Sequence, residues 1–307
     1  MHFCREDGKT EKKKFIPNYS RLSVFPANPK SQYYWDEHLF LIFNKNNFMQ
    51  FAACVVSVVP IRKSPAHESE MINQLVFGET MEVLDITTAN WWRIKSLHDQ
   101  YEGWVSSIQV KVLDEKVAIS AGNWLMESTG IAEKIQTDSG DMNIPFGASL
   151  PGFNGKEGCI GDFRYQYKGS QARKKSELVA DTTSIHNLIE RWLEAPYLWG
   201  GRTMMGVDCS GLTQMIFKMI GIDLLRDASH QSSQGNSVDF LQQAQCGDLA
   251  FFDDAAGQIY HVGILLDSQE IVHASGKVRK DTIDSAGIVN RDTGQRTHQL
   301  RIIKRYF

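Results

Sequence analysis

The spacing of hydrophobic residues changes twice along this chain. From position 49 to about 113, short apolar segments alternate with turns: Ala53–Ile61, Gln74–Val76, Thr80–Leu84, Trp91–Lys95 and Tyr101–Val105, punctuated by Gly78 and Gly103. Segments of that length, rich in β-branched and aromatic residues, predict strands, and their close succession predicts a small β-barrel. From Ser184 the period becomes helical, with Ile185, Leu188, Ile189, Trp192 and Leu193 on one face before Pro196. A second helical stripe (Leu212, Met215, Ile216, Met219, Ile220) follows Cys209 and stops at Gly221. Four short apolar segments come last: Asp248–Phe252, His261–Leu266, Glu270–His273 and Leu300–Phe307. Helices first and strands second predict an α+β domain whose helices cover one face of an antiparallel sheet.

Between these regions, residues 114–178 are harder to read. Asn143-Ile-Pro-Phe146-Gly147 repeats the apolar-Phe-Gly step of Leu75–Gly78, which predicts a second, degenerate barrel of the first type, with a β-rich linker as the plainer alternative. Residues 1–48 are polar, with a lysine run at 12–14 and aromatic clusters but no sustained period, and they carry no assignment. Translation starting at Met49 is one expectation for them. The expected domains are therefore 1–48 unassigned, 49–113 and 114–178 barrels, and 179–307 the α+β domain.

Composition narrows the function classes. The 307 residues are 42% hydrophobic and 22% charged, the balance of folded domains. A formal net charge of -3 offers no basic surface for nucleic acid or an anionic membrane, so neither is expected as a partner. The five cysteines are scattered without a CxxC pair, and an odd number leaves at least one thiol free. With no apolar run of about 18 residues and no secretory h-region at the start, a reducing, cytoplasmic location is expected. A monomer is also expected.

Chemistry concentrates in Tyr197-Leu-Trp199-Gly-Gly-Arg-Thr-Met-Met-Gly-Val-Asp208-Cys209-Ser210-Gly, where a glycine-rich loop delivers a cysteine to a helix start. Asp208 is the expected N-cap. In the first turn, unpaired amides and the positive end of the helix dipole favour an anion and would lower the thiol pKa. A thiol nucleophile needs a base, and the base needs an orienting partner. His261 opens one strand and His273 closes the next; a hairpin through Asp267–Gln269 would bring them to one sheet edge. A cysteine in an amphipathic helix is ordinarily a small core residue, but Cys209 precedes the apolar stripe and follows Gly200, Gly201 and Gly206. A Cys/His/His zinc site is the chemical rival, without a fourth close ligand in the sequence. No metal or cofactor is expected, and His67, His98, His186, His230 and His298 read as surface or loop residues.

Tyr197-Leu-Trp-Gly-Gly, Asp208-Cys209-Ser210-Gly-Leu, Arg226-Asp-Ala, Gly247-Asp248-Leu-Ala-Phe-Phe252, His261-Val-Gly and Ile271-Val-His273-Ala-Ser, in that order, resemble the NlpC-type, papain-like cell-wall cysteine peptidase family. Val59–Pro65, Glu70–Glu79, Trp92–Lys95 and Tyr101–Val105 resemble a bacterial SH3-like domain. The resemblance implies two SH3-like barrels before an α+β papain-like peptidase, similar to γ-D-glutamyl-L-diamino acid endopeptidases. It implies Cys209 as nucleophile, His261 as general base and acid, and His273 as the residue orienting it. The substrate it implies is a murein-derived peptide with a free N-terminal L-alanine, cut after γ-D-glutamate. Asp208, Tyr101 and Glu70 are the implied amine-binding residues, with Tyr197, Trp199 and Ser210 lining the cleft. Acyl or peptidyl transfer on the same thiol, or a non-catalytic peptide-binding module, are the alternatives.

Overall fold

A computed structural model describes residues 50–87 and 90–307; the expectations about residues 1–48 and a start at Met49 lie outside them. Seven strands open the described chain: β1 (Gln50–Cys54), β2 (Val58–Arg62), β3 (Met71–Val76), β4 (Thr80–Ile86), β5 (Trp91–Ser96), β6 (Glu102–Ser106) and β7 (Val110–Leu113). They form one antiparallel sheet in the order β3-β2-β6-β5-β4-β1-β7. Val59, Ile61, Leu75, Met81, Ile94 and Val105 fill its core. The expected single strand Ala53–Ile61 is two strands, because the chain bends at residues 55–57 between apolar runs that the sequence does not separate. Gly103 meets the expected punctuation for a steric reason: a Cβ there would sit 2.4 Å from the Ile61 side chain.

The middle segment begins with helix α1 (Glu115–Ser120), capped by Asp114 accepting from the Lys116 amide. Six strands follow: β8 (Trp124–Met126), β9 (Ala132–Thr137), β10 (Gly140–Pro145), β11 (Glu157–Ile160), β12 (Phe163–Gln166) and β13 (Ala172–Lys174). They make a four-stranded sheet, β10-β9-β12-β11, and a separate pair, β13-β8, rather than one sheet like the first. The two Phe-Gly steps nevertheless do the same work. Gly78 and Gly147 both turn with positive φ (74° and 76°), and the turns abut, the Ser149 amide donating to the Phe77 carbonyl at 2.9 Å. A side chain at Gly78 would collide with the Ser149 carbonyl oxygen at 2.0 Å.

The rest of the chain comprises α2 (Thr182–Trp192), the short hairpin β14 (Arg202–Thr203) and β15 (Gly206–Val207), α3 (Cys209–Lys218), α4 (Ala228–Gln231), and strands β16 (Asn236–Val238), β17 (Leu249–Asp253), β18 (Ile259–Leu265), β19 (Glu270–Ser275), β20 (Lys277–Asp284), β21 (Gly287–Val289) and β22 (Arg296–Arg305). The expected antiparallel sheet under a helical layer is instead a closed barrel: β22-β17-β18-β19-β20-β21 run in sequence, and β21 pairs back onto β22. The apolar-segment reading missed β20 and β21. In β20 the buried positions Val278, Asp281 and Ile283 break the alternation, and one carries a charge. Helices α2 and α3 pack on the barrel through Ile185, Leu188, Trp192, Met215, Ile216, Val262 and Val272. Every residue of α3 is buried, polar ones included. Among the described residues, no helix is long and apolar enough to cross a membrane.

One buried ion cluster ties the first sheet to α3. The Glu79 carboxylate accepts two bonds from Arg202 at 2.6 and 2.9 Å and one from Lys218 at 2.7 Å. Lys218 also donates to the Gly147 carbonyl at 2.8 Å, so three segments meet at one point. Burial works to raise the Glu79 pKa, but Arg202 and Lys218 outweigh it and hold the carboxyl far below its usual range. A folded-state pKa below the unfolded one stabilises the fold above the unfolded value, about 4.3, and that contribution drains away as pH falls below it. Replacing Glu79 by Ala strands two buried cations; urea unfolding at pH 7 should show a loss of about 3–5 kcal/mol. A midpoint unchanged from wild type would mean the cluster does not hold the domains together.

Candidate active site

Helix α3 opens at Cys209 because Asp208 caps it. Asp208 Oδ1 accepts from the Gly211 amide at 2.8 Å, and Oδ2 accepts from the Gly200 amide at 2.8 Å and from Arg226 at 2.5 Å. The thiol is buried, near the backbone of Val262 and Ser210. The expected depression of its pKa is reversed: burial, then the charge of Asp208, push the thiol up to about 12. Desolvation of a thiolate outweighs the helix end when the cap itself is anionic. The proton therefore stays on sulfur, so a nucleophilic role for Cys209 would need a base to take it.

The expected base, His261, stands on the adjacent barrel, on β18 directly before Val262, which lies near the sulfur. β18 and β19 pair as the expected hairpin, with Ile264 opposite Val272 and Leu265 opposite Ile271. Gly263 leaves room beside His273, since a Cβ at 263 would lie 3.0 Å from the His273 Cβ. The rings then connect in series: His261 Nε2 to His273 Nδ1 at 2.9 Å, and His273 Nε2 to Asp281 Oδ2 at 3.0 Å. Asp281 Oδ1 also accepts from the Arg291 amide at 2.8 Å and from Arg279 at 2.9 Å. Burial opposes its ionisation, but the bonds from His273, the Arg291 amide and Arg279 hold the carboxyl at about 2.

With both rings neutral, that anion fixes every hydrogen in the chain. It accepts only, so His273 carries its hydrogen on Nε2 and presents a lone pair at Nδ1; His261 must then donate from Nε2, leaving Nδ1 free to receive a proton. Burial and the neighbouring His298 and His273 rings lower the His261 pKa well below its ordinary value, which keeps it a neutral base. Asp281 was not legible in the sequence: it lies in a polar strand with no motif around it.

His298 is not the surface or loop residue that the sequence suggested, whereas His98 lies in the expected loop. His298 stacks on His261 with ring centroids 4.1 Å apart and lies edge-on to His273 at 5.5 Å. One nitrogen from each of His261, His273 and His298 falls within 4.8 Å of the others, the one group among the described residues placed to share a metal ion. His98 lies largely buried beside Asp223, at 3.5 Å. His67, His186 and His230 are exposed.

Residues of the first sheet close the other side of the cleft. Glu70 Oε1 accepts from the Trp199 indole at 3.0 Å. Tyr101 stands beside the Asp227 carboxylate, and burial followed by that carboxylate pushes its pKa up to about 12. Tyr197, partly exposed, faces Cys209 and Asp208. The Ser210 hydroxyl accepts from Arg226 at 2.7 Å. Asp208 does not face the cleft as an open ammonium acceptor: it is 5% exposed, and both oxygens are used by the cap, Gly200 and Arg226. The carboxylate beside Tyr101 is Asp227, overlooked although Arg226-Asp-Ala stood out as a motif.

Residues 194–297 match the model of the NlpC/P60 family, and residues 61–110 match that of the bacterial dipeptidyl-peptidase SH3 domain. The chain carries an NlpC/P60 domain. This is the domain of a cysteine peptidase family. A γ-D-glutamyl-L-lysine dipeptidyl-peptidase from Bacillus cereus is 33% identical over 117 residues, which make up 36% of this chain and 35% of that protein. The chain thus spans about a third of the length of this relative at that identity. Dipeptidyl-peptidase 6 of Lysinibacillus sphaericus is 23% identical over 73% of this chain and 87% of its own length. The solved structure of an NlpC/P60 family protein from Bacillus cereus aligns with a TM-score of 0.69 at 18% identity, covering 83% of this chain and 99% of the other, and shares the fold.

Within the NlpC/P60 domain, the carboxylate at the end of the histidine chain sets the direction of the hydrogens. Asp281→Asn places an amide that can donate to His273 Nε2, reversing the tautomer and pushing a hydrogen toward His261. Peptide turnover should fall about 100-fold, the low end for a positioned acid–base group, and 15N NMR of the His273 ring should show the exchanged tautomer. Wild-type turnover with an unchanged ring spectrum would remove Asp281 from the relay.

Proposed function

We propose that this chain is a cysteine endopeptidase that hydrolyses the bond between γ-D-glutamate and the diamino acid of murein stem peptides bearing a free N-terminal L-alanine. The observation that carries the reading is the buried thiol at the head of α3 beside the His261–His273–Asp281 chain. On this reading Cys209, His261 and His273 form a papain-like catalytic set, residues 179–307 are the peptidase domain, and residues 114–178 are a diverged second SH3-like module.

His261 Nδ1 takes the thiol proton as sulfur attacks the γ-amide carbonyl. The oxyanion develops at the N-terminus of α3, where unpaired amides and the helix dipole favour negative charge. The imidazolium returns the proton to the leaving amine, which departs with the diamino acid. A thioester links Cys209 to the γ-carboxyl of glutamate. Water, deprotonated by His261, attacks that thioester and restores the thiol. Throughout, Asp281 and His273 hold His261 in the tautomer that can accept at Nδ1.

The substrate's amine is assigned to Glu70, Tyr101 and Asp227, two carboxylates and a hydroxyl. An ammonium pairs with carboxylates, whereas an acylated amine would bury them unpaired, so the same groups reject peptides still joined to glycan. The similarity to a γ-D-glutamyl-L-lysine dipeptidyl-peptidase supports this choice of bond.

A defined L-Ala-γ-D-Glu-diaminopimelate peptide and its N-acetyl twin, each incubated with the protein and followed by mass spectrometry, test chemistry and specificity together. The free-amine peptide should release L-Ala-D-Glu, the acetylated one should be cut at least about 100-fold more slowly, and Cys209→Ala should release nothing. Equal cleavage of the two peptides defeats the amine site; turnover by Cys209→Ala defeats the thiol mechanism. Tyr101→Phe should raise KM about tenfold with kcat nearly unchanged, the loss of one hydrogen bond to a charged group.

A further inference from the structure

Three imidazoles around one point do more than catalysis requires. The relay needs His261 and His273; His298 takes no part in it, yet its ring lies flat against His261 at 4.1 Å and inclined by 24°. It comes from β22, a strand separated from the other two histidines' hairpin by β17, and all three rings gather beside Phe252 or one another. His298 Nδ1 is engaged by the Thr297 hydroxyl at 2.8 Å, so Nε2 is the nitrogen left to bind something else. The ligand nitrogens already converge within 4.8 Å.

We propose that His261, His273 and His298 form a site for a divalent zinc-class ion, and that filling it switches off the thiol. Three histidines with a water in the fourth position make a tetrahedral zinc set. The surroundings match such a site at the next layer too. A metal-bound histidine characteristically donates its other N–H to a carboxylate, and His273 does so to Asp281 at 3.0 Å. Asp281 thereby aims the His273 Nδ1 lone pair into the cluster whether a hydrogen or a metal ion lies beyond it. His298 is partly exposed and lies between the His261 and Tyr260 rings, so it must turn out of that stack to bring Nε2 into line with the pair.

The inhibitory part rests on the function proposed above. At rest His261 keeps its hydrogen on Nε2, bonded to His273 Nδ1, and accepts at Nδ1. A zinc ion bound to both of those nitrogens displaces that hydrogen, and neutral His261 retains it by moving it to Nδ1. The nitrogen that should take the thiol proton then already carries one, and the nitrogen without a hydrogen is coordinated. No atom is gained or lost beyond the ion and its water, no electron moves, and chelation reverses the change.

The test separates binding from catalysis. Cys209→Ala protein without a polyhistidine tag is titrated with ZnCl2 by calorimetry and with CoCl2 by visible absorption. One ion per chain is expected, with the intense d–d bands of tetrahedral cobalt. His298→Phe, which keeps the stacked ring, and His298→Gln, each made in the Cys209→Ala background, should bind at least about tenfold more weakly, as losing one of three ligands requires. In the Cys209 protein, zinc should suppress peptide cleavage and EDTA restore it, and His298→Phe should need correspondingly more zinc for the same fractional loss. Absence of one-to-one binding to Cys209→Ala, or unchanged affinity in both folded His298 variants, overturns the site. If zinc binds but the wild-type protein cleaves no peptide, the proposed function fails while the metal site stands.

Discussion

Glu79 sits where the first sheet, the middle segment and helix α3 meet, and its carboxylate is shared by Arg202 and Lys218 at 2.6 to 2.9 Å. Such a cluster is costly to desolvate and so contributes less to net stability than its geometry suggests. Its value is positional. Removing Glu79 leaves two uncompensated cations in the interior, so the carboxylate fixes where the sheet meets α3. Arg202 further binds the Gln74 carbonyl at 2.7 Å, on the strand that begins beside Glu70. The groups proposed to meet the substrate amine thus depend on a contact outside the cleft.

The same economy governs the histidine chain. A buried carboxylate that only accepts, held ionised by the Arg291 amide and Arg279, dictates which nitrogen of His273 is protonated and hence which nitrogen of His261 is free. Orientation is transmitted through two rings without any group changing charge at rest. The thiol's environment runs against the simple expectation for a helix start: the cap that makes the helix begin at Cys209 is an anion next to a buried sulfur, and raises its pKa. The thiol and the His261 ring are therefore both held neutral in the resting cleft.

Much of this was legible where the signal is local. The periods of Ile185–Trp192 and Leu212–Ile220 mark buried helix faces, Asp208 before Cys209 marks a cap, and the glycines at 78 and 147 mark turns that no side chain could occupy. The two halves of the hairpin carrying His261 and His273 are plain apolar runs. What failed to show was information carried by polar residues at inward positions. Asp281 and His298 lie on strands with much exposed surface, where a charged or polar residue reads as solvent-facing until the barrel is seen to close around it. Asp208 and Asp227 are both acidic residues next to motif positions, and nothing in their local spacing says which one an arginine will neutralise.

By itself the sequence determined most strands of the first sheet, the helices α2 and α3, the place of the cysteine at a helix start, and the candidates for its base, because hydrophobic periodicity, capping and glycine turns act over a few residues. The tertiary structure decided that the last strands close into a six-stranded barrel, that Asp281 completes the histidine chain, that Arg226 consumes Asp208 and leaves Asp227 to Tyr101, and that His298 joins His261 and His273. Each of those outcomes depends on which charged or titratable groups become neighbours after burial. That is settled by long-range strand pairing and desolvation, which no short window of sequence contains.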